Sequence, residues 1–246
     1  MTDVTAERDA PALPADGRFR CDGGMPTTQL FEATRRPSTD SFWRRPFRLI
    51  RENARVYLTL SLAAYGLVAL GFALGILFPE LPAARAVALE ADGTGELVRA
   101  VAESAPLFAL VIFAVNVFRL GLFTIVLPSL VVPFAGLAFF GYWAVETGIT
   151  LVQTTPVGWV AMIPHTLTVL IELQAYVLFL LGAYLLGRAW LFPRRIGATN
   201  RRRGYLEGLG SIGLLALPAL ALLVVGALWE AYSLRYLVHP LSQILL

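Results

Sequence analysis

The stretch PLFALVIFAVNVFRLGLFTIVLPSLVVPFAGLAFFGYWAVETGITLVQ, residues 106–153, decides the fold class of this chain. It runs for 48 residues with only two charged side chains, Arg119 and Glu146. A membrane-spanning helix needs roughly 20 mainly apolar residues, so this stretch is long enough for two. Pro128 and Pro133 lie near its middle, where a proline ends or kinks a helix. The sequence therefore predicts a hairpin of two membrane-spanning helices.

The composition of the 246-residue chain indicates the same class. Hydrophobic residues make up 57% and charged residues 15%, with a mean hydropathy of +0.67, whereas a soluble domain carries about 25% charged residues. So much apolar surface cannot be hidden in one ordinary soluble core. We therefore expect an all-α, polytopic membrane helix bundle whose surroundings are the lipid bilayer. The predicted transmembrane helices, about five in number, are 56–78, 106–128, 132–153, 164–190 and 208–229.

The N-terminal part of the chain differs from the rest. Residues 1–41 have mixed charge and no apolar periodicity, which predicts a disordered cytoplasmic tail ahead of a transmembrane domain over 42–246. No early apolar stretch resembles a signal peptide, and the sequence leaves open whether Met25 is the true start. Residues 42–55 combine aromatic side chains with five arginines, a pattern that fits either a short interfacial helix or a plain basic flank.

Arginines in the short connections predict the orientation. They cluster before the first predicted span and between the last two, whereas the segment between the first two spans is mainly acidic. Because arginine-rich short loops stay in the cytoplasm, we expect a cytoplasmic N-terminus and an extracytoplasmic C-terminus in the cell (plasma) membrane. All 20 basic residues are arginine and lie beside apolar spans, so no nucleic-acid partner is expected.

Polar side chains inside the predicted spans mark the candidate site. Ionisable groups in hydrocarbon are costly and therefore face protein or water, so we expect these to converge in the outer half of the membrane. One interpretation is that Arg119 pairs with a carboxylate to fix helix packing. The other is that the cluster lines a path or a docking site for a partner's membrane helix. The predicted members are Asn116, Arg119, Glu146, His165, Glu172 and Glu230.

The motifs of enzyme active sites are missing from the sequence. Residues 208–213 match G-x-G-x-x-G, but an arginine-rich loop precedes them and an apolar span follows, unlike a dinucleotide site. The chain has one cysteine and two histidines, so we expect no enzyme activity, cofactor or metal. Gly71 and Gly75 form a small-xxx-small pair, which favours helix packing within the chain or, alternatively, a homo-oligomer.

Several short motifs follow one another between about 105 and 240. They are Asn116-Val117-Phe118-Arg119, Ile163-Pro164-His165, Glu172-Leu173-Gln174-Ala175 and Leu228-Trp229-Glu230-Ala231-Tyr232, with Gly182 and Gly187 as helix-packing positions. This order resembles the stage II sporulation protein M family of multi-pass membrane proteins. In endospore formers the resemblance implies a membrane scaffold that gathers peptidoglycan-degrading enzymes. For this chain it implies the architecture and a non-enzymatic, partner-binding role.

Two functions of different classes follow from the sequence. The first is a scaffold or assembly partner for other membrane or cell-envelope proteins, which would dock on 79–105, on 191–207 or in the groove around Glu146 and Glu172. The alternative is a permease subunit of a membrane transporter that works with a separate ATPase. Intramembrane charges and a proline-broken hairpin favour this alternative, whereas the chain has no nucleotide site of its own.

Overall fold

The computed structural model describes residues 42–101 and 103–246, and every regular element in these two ranges is helical. The all-α fold class is therefore as predicted. The predicted tail, with Cys21 and Met25, lies outside the described residues. The helices are α1 (Arg45–Glu52), α2 (Ala54–Leu77), α3 (Glu80–Ala91), α4 (Thr94–Val101), α5 (Ala105–Val131), α6 (Ala135–Thr150), α7 (Pro156–Leu191), α8 (Arg201–Tyr236) and α9 (Val238–Leu245).

Four of these helices, α2, α5, α7 and α8, are long and apolar enough to cross a membrane. The protein is therefore a multi-pass membrane protein. Helix α7 is the most buried of the four and forms the axis of the bundle. The other three pack around it with larger lipid-facing surfaces, as expected of the outer helices of a membrane bundle.

Helix α6 is shorter than the predicted span 132–153. It has 16 residues, or about 24 Å of rise, because the chain turns at 132–134 before the helix begins. Phe134 takes a left-handed conformation there, with φ of 67°, and the Ser129 hydroxyl accepts a hydrogen bond from the Gly136 amide at 3.0 Å. Proline at 133 lacks an amide donor and fixes φ, which favours this turn over a continued helix.

The chain nevertheless crosses the bundle between α5 and α7. The Phe134 ring lies beside Gly187, near the end of α7. At the other end of α6, the Gln153 amide lies 3.8 Å from the Met162 sulfur, near the start of α7. Helix α6 and its flanking turns therefore run antiparallel to α7 over most of its length. Among the described residues four helices have the length of a complete span, and α6 with its flanking turns occupies the position of the fifth predicted span, 132–153.

Glycines allow close approach at two helix pairs. A Cβ added at Gly71 would lie 2.0 Å from the Val145 carbonyl oxygen, and one at Gly75 would lie 2.8 Å from the Val152 side chain. Both glycines of the small-xxx-small pair thus face α6 of the same chain. A Cβ added at Gly182 would lie 3.1 Å from the Ile212 Cα atom on α8. Residues 208–213 lie inside α8, so this G-x-G-x-x-G sequence is a helix segment.

Two short helices cover the bundle. Helix α1 follows a 3-10 turn and places Pro46 and Ile50 against α7 and α8, beside Leu178 and Leu217. Its arginines lie on the opposite, exposed face. Helix α9 folds back so that the C-terminal leucines reach Trp159 on α7. The structure thus shows an amphipathic helix within 42–55 and a C-terminal segment packed on the bundle.

Candidate polar site within the bundle

Four of the six predicted polar residues line one cavity of about 270 Å³. Asn116 reaches it from α5, His165 and Glu172 from α7, and Glu230 from α8. His165 and Glu172 are seven residues apart, so they share a face of α7. Helix α6 and helix α4 supply further walls. The polar side chains are therefore brought together by three membrane-spanning helices, as the cost of exposing them to lipid requires.

Glu172 lines the cavity from the middle of α7. The Asn116 side-chain amide donates a hydrogen bond to its Oε1 atom. Space for the carboxylate comes from Gly226 on α8, because a Cβ added there would lie 3.1 Å from Glu172 Cγ. A glycine on α8 and an amide on α5 thus hold one carboxylate between three helices.

A second pair of groups lies nearer the start of α7. His165 Nδ1 is 3.3 Å from Glu230 Oε1, with side-chain exposures of 25% and 16%. Next to them, the Trp229 indole donates a hydrogen bond to the Pro164 carbonyl oxygen at 3.0 Å. This bond fixes α8 against α7 at the level of the pair. Trp229 and Pro164, which make this helix contact, are the sequence neighbours of Glu230 and His165. The contact between α7 and α8 therefore also positions the carboxylate and the imidazole.

Tyr176 belongs to the site but was not among the predicted residues. Its side chain is 1% exposed and lines the same cavity. Its hydroxyl has no hydrogen-bond partner among the described residues, although buried polar groups almost always have one. The position could have been found from the sequence, because it follows Glu172 by four residues and so lies on the same face of a helix.

Glu146 does not join this cluster. Its carboxylate lies 3.6 Å from the Arg85 guanidinium and accepts a hydrogen bond from the Tyr142 hydroxyl at 2.8 Å. The expected convergence of Glu146 with Glu172 is therefore wrong. The reason is that an arginine of the preceding connection folds back onto α6 and takes this carboxylate as its own partner.

Arg119 does not join the cluster either, and it pairs with no carboxylate in the part of the chain that the structure describes. Its side chain is exposed. The physical reason is that Val115–Val126 forms a π-helix, whose i→i+5 hydrogen bonds put more residues in each turn than an α-helix has. A side chain three positions after Asn116 is therefore turned farther away from it. The expected Arg119–carboxylate pair is thus a wrong prediction.

The connection 79–105 forms a helical hairpin of α3 and α4, which folds against α5 and α6. Thr94, Leu97 and Val98 of α4 line the polar cavity. Two ion pairs secure the hairpin: Arg85 with Glu146 on α6, and Arg99 with Glu90 through two hydrogen bonds of 3.0 Å. The segment predicted as an outer loop is thus a cover for part of the candidate site.

Electrostatics link the tip of this hairpin to the bundle. A hydrogen bond from Thr94 lowers the pKa of Asp92, and the positive charges of Arg119 and Arg85 lower it further. The pKa of Glu90 is lowered by the hydrogen bonds and charge of Arg99. The turn between α3 and α4 therefore lies within electrostatic reach of the exposed Arg119.

The arrangement can bind a polar or charged group between membrane helices. Its polar groups include two carboxylates, one imidazole, one side-chain amide and the unpartnered Tyr176 hydroxyl, with two threonine hydroxyls and a tryptophan indole also in the described lining. Within 42–101 and 103–246, no group of three or more His, Cys, Asp and Glu side chains is placed to hold a metal ion. The site therefore combines hydrogen-bonding and ionic groups without a described metal-ligand set.

Fold and site together define a multi-pass helical membrane protein with a polar cavity among its spans. No family model, curated protein or solved structure matches the chain. The cavity and the residues around it are therefore the features that bear on its function.

Proposed function

We propose that this protein is a non-enzymatic scaffold or assembly partner that binds other membrane or cell-envelope proteins through the polar cavity. The observation that carries the proposal is the set of polar groups in this cavity, above all the buried Tyr176 hydroxyl with no partner. An unsatisfied buried group costs free energy in the unliganded protein. Such a group is retained at a cost to stability, which a bound partner would offset.

Apolar packing closes the floor of the cavity, which supports binding of a ligand there and not its passage across the membrane. The buried side chains that follow Tyr176 along α7 are all apolar, and Leu120 and Ile125 of α5 are buried beside them. Gly121 packs against the Phe179 ring, with 3.2 Å from its added Cβ to the nearest ring carbon. A ligand that enters the cavity would therefore leave by the side from which it came.

The arginine distribution supports an orientation for this binding site. The starts of α2 and α8 and the end of α7 carry arginines, whereas the α3–α4 hairpin is mainly acidic. By the positive-inside rule, the N-terminus is cytoplasmic and the C-terminus extracytoplasmic in the cell membrane. The cavity then lies in the outer half of the membrane, which suits partners of the cell envelope. The resemblance to the stage II sporulation protein M family supports the same role.

Site-specific photo-cross-linking tests the proposal. A photo-reactive amino acid would be placed at Val115 and at Leu97, which line the cavity from α5 and α4, and at Leu62 on α2 as a control. Leu62 is 66% exposed and lies away from the cavity. We expect both cavity positions to capture one and the same protein and the control position not to capture it. Equal capture at all three positions, or lipid adducts alone, would contradict the proposal.

A permease subunit is the second candidate, and the π-helix Val115–Val126 favours it. A π segment can rearrange to α-helix, which would rotate Asn116 relative to Glu172, and transport needs such alternating access. In a Cys21→Ser background, Ile125→Cys would be exposed only in an inward-open state, because Ile125 is fully buried here. Labelling of this cysteine from the cytoplasmic side would favour the permease, and protection would favour the scaffold.

A further inference from the structure

The ionisable side chains that line the cavity are mainly acidic. Glu172 and Glu230 both line it, and its described lining includes no arginine. Of the arginines on neighbouring elements, Arg85 pairs with Glu146 and Arg119 is exposed. The only lining side chain that can carry a positive charge is His165, which lies beside Glu230. Glu230 thus has His165 as a possible cationic partner, whereas Glu172 has only the neutral amide of Asn116 beside it, so the described lining leaves room for one more cation.

We propose that the cavity receives one basic side chain, a lysine ammonium or an arginine guanidinium, carried by a transmembrane helix of a partner protein. This inference rests on the proposed function and names the chemistry of its partner. The carboxylate of Glu172 is the counter-ion, and the free Tyr176 hydroxyl accepts a hydrogen bond from the bound group. Glu230 supplies the second negative charge at the mouth, beside His165.

The size of the cavity suits a side chain better than a complete small molecule. Its volume of about 270 Å³ lies below the range of roughly 300–1,000 Å³ that is typical of small-molecule pockets. Polar groups form part of the lining, and most of the remaining walls are apolar side chains such as Val111 and Val115. An alkyl stem with a charged head matches this division, because such stems pack against apolar surface while the head is solvated or paired.

The surroundings favour a partner helix as the source of this side chain. Three of the cavity walls belong to the membrane-spanning helices α5, α7 and α8. On α5, Val115 and Phe118 are exposed on the lipid-facing surface next to Asn116. A basic residue inside a membrane span is costly and seeks a carboxylate, so a partner helix with one such residue and this cavity are complementary in charge.

Binding of designed transmembrane peptides tests the proposal on the full chain in lipid nanodiscs. One peptide is an apolar 20-residue helix with a single lysine placed in its outer half, and its two controls carry glutamine or glutamate there. Fluorescence transfer between protein and peptide measures the dissociation constant. We expect the lysine peptide to bind about tenfold more tightly than the glutamine peptide, the range of interhelical polar contacts, and the glutamate peptide not to bind above background.

Three protein variants locate the effect. Glu172→Gln and Glu230→Gln should each weaken the binding of the lysine peptide by about tenfold and leave the affinity for the glutamine peptide unchanged. Glu207→Gln is the control, because this carboxylate pairs with Arg203 and does not line the cavity, and it should change neither. If a variant fails to fold, as judged by its gel-filtration profile, the comparison of the three peptides on the unmodified chain still decides the matter.

Two results would overturn the proposal. One is equal affinity for the lysine and glutamine peptides. The other is binding of n-butylammonium, followed by a shift in thermal unfolding that Glu172→Gln abolishes, without binding of the lysine peptide, which would assign the site to a free organic cation. The proposed function fails separately, if cross-linking from the cavity finds no partner. If the Glu172→Gln variant captures the same partner equally well, the proposed scaffold function stands, but the proposal that a basic side chain binds in the cavity is refuted.

Discussion

Replacing Tyr176 with phenylalanine should make the unliganded protein more stable and less able to bind. The hydroxyl is buried and has no hydrogen-bond partner in the part of the chain that the structure describes, whereas the ring packs against Phe140 and Trp143 and would stay. Burying a hydroxyl without a partner costs about 1–3 kcal/mol in proteins. Tyr176→Phe should recover that amount as an increase in the free energy of unfolding.

Tyr57→Phe is the matched control with the opposite sign. The Tyr57 hydroxyl donates a hydrogen bond to the Gln174 side chain, which joins α2 to α7. Removing it should lower the free energy of unfolding by about 0.5–1.5 kcal/mol. Both variants remove one hydroxyl oxygen, from a tyrosine on α7 and from one packed against α7, so the difference between them isolates the effect of the hydrogen-bond partner.

The assay is reversible unfolding of the purified full chain in mild detergent, followed by tryptophan fluorescence, together with lysine-peptide binding. We expect Tyr176→Phe to unfold later and to bind the lysine peptide more weakly. A loss of stability as large as that of Tyr57→Phe would refute the reasoning. It would mean that the Tyr176 hydroxyl is satisfied in the free protein, for example by water in the cavity.

Two further predictions concern helix packing and the hairpin. Gly148→Ala should lower the free energy of unfolding by about 1–3 kcal/mol, because its Cβ would lie 2.1 Å from the Val68 carbonyl oxygen; Gly66→Ala, with nothing within 4 Å, should be neutral in the same unfolding assay. Arg99 lowers the pKa of Glu90 from 4.5, so this link stabilises the hairpin above that pH and is lost as pH falls through the lowered value. An acid-stable protease should therefore cleave between α3 and α4 faster in strong acid. This increase in cleavage rate should be larger in the unmodified protein than in the Glu90→Gln variant, which has no carboxyl group to protonate there.

Hydropathy predicted the class of fold because the bilayer imposes length and composition on each span. The 106–153 stretch indicated two passes, and the structure places α5 and α6 there. The short length of α6 was not predictable from hydropathy, since the residues on both sides of it are as apolar as the helix itself. The turn at Phe134 depends on contacts with Gly187 and on the Ser129–Gly136 hydrogen bond, which are tertiary.

The candidate site was only partly predictable, for a related reason. Asn116, Glu172, His165 and Glu230 could be grouped because each lies on a span and must avoid lipid. Glu146 also lies on a predicted span and must avoid lipid. It does so by pairing with Arg85, whose long side chain reaches it from outside the spans. No rule of spacing within one helix identifies that partner. Arg119 was misplaced because its position was inferred from α-helical geometry in a segment that is π-helical.

The hairpin adds a condition to any docking at the cavity. Helix α4 already covers one side through Leu97 and Val98, and Arg85 attaches α3 to α6 beside it. A partner helix that enters from this side must displace the hairpin and break that ion pair, whereas one that enters beside Val115 on α5 need not. Arg85→Ala would weaken the attachment and so increase the association rate of the lysine peptide only for the first route. An unchanged rate in this variant would assign docking to the lipid-facing side of α5.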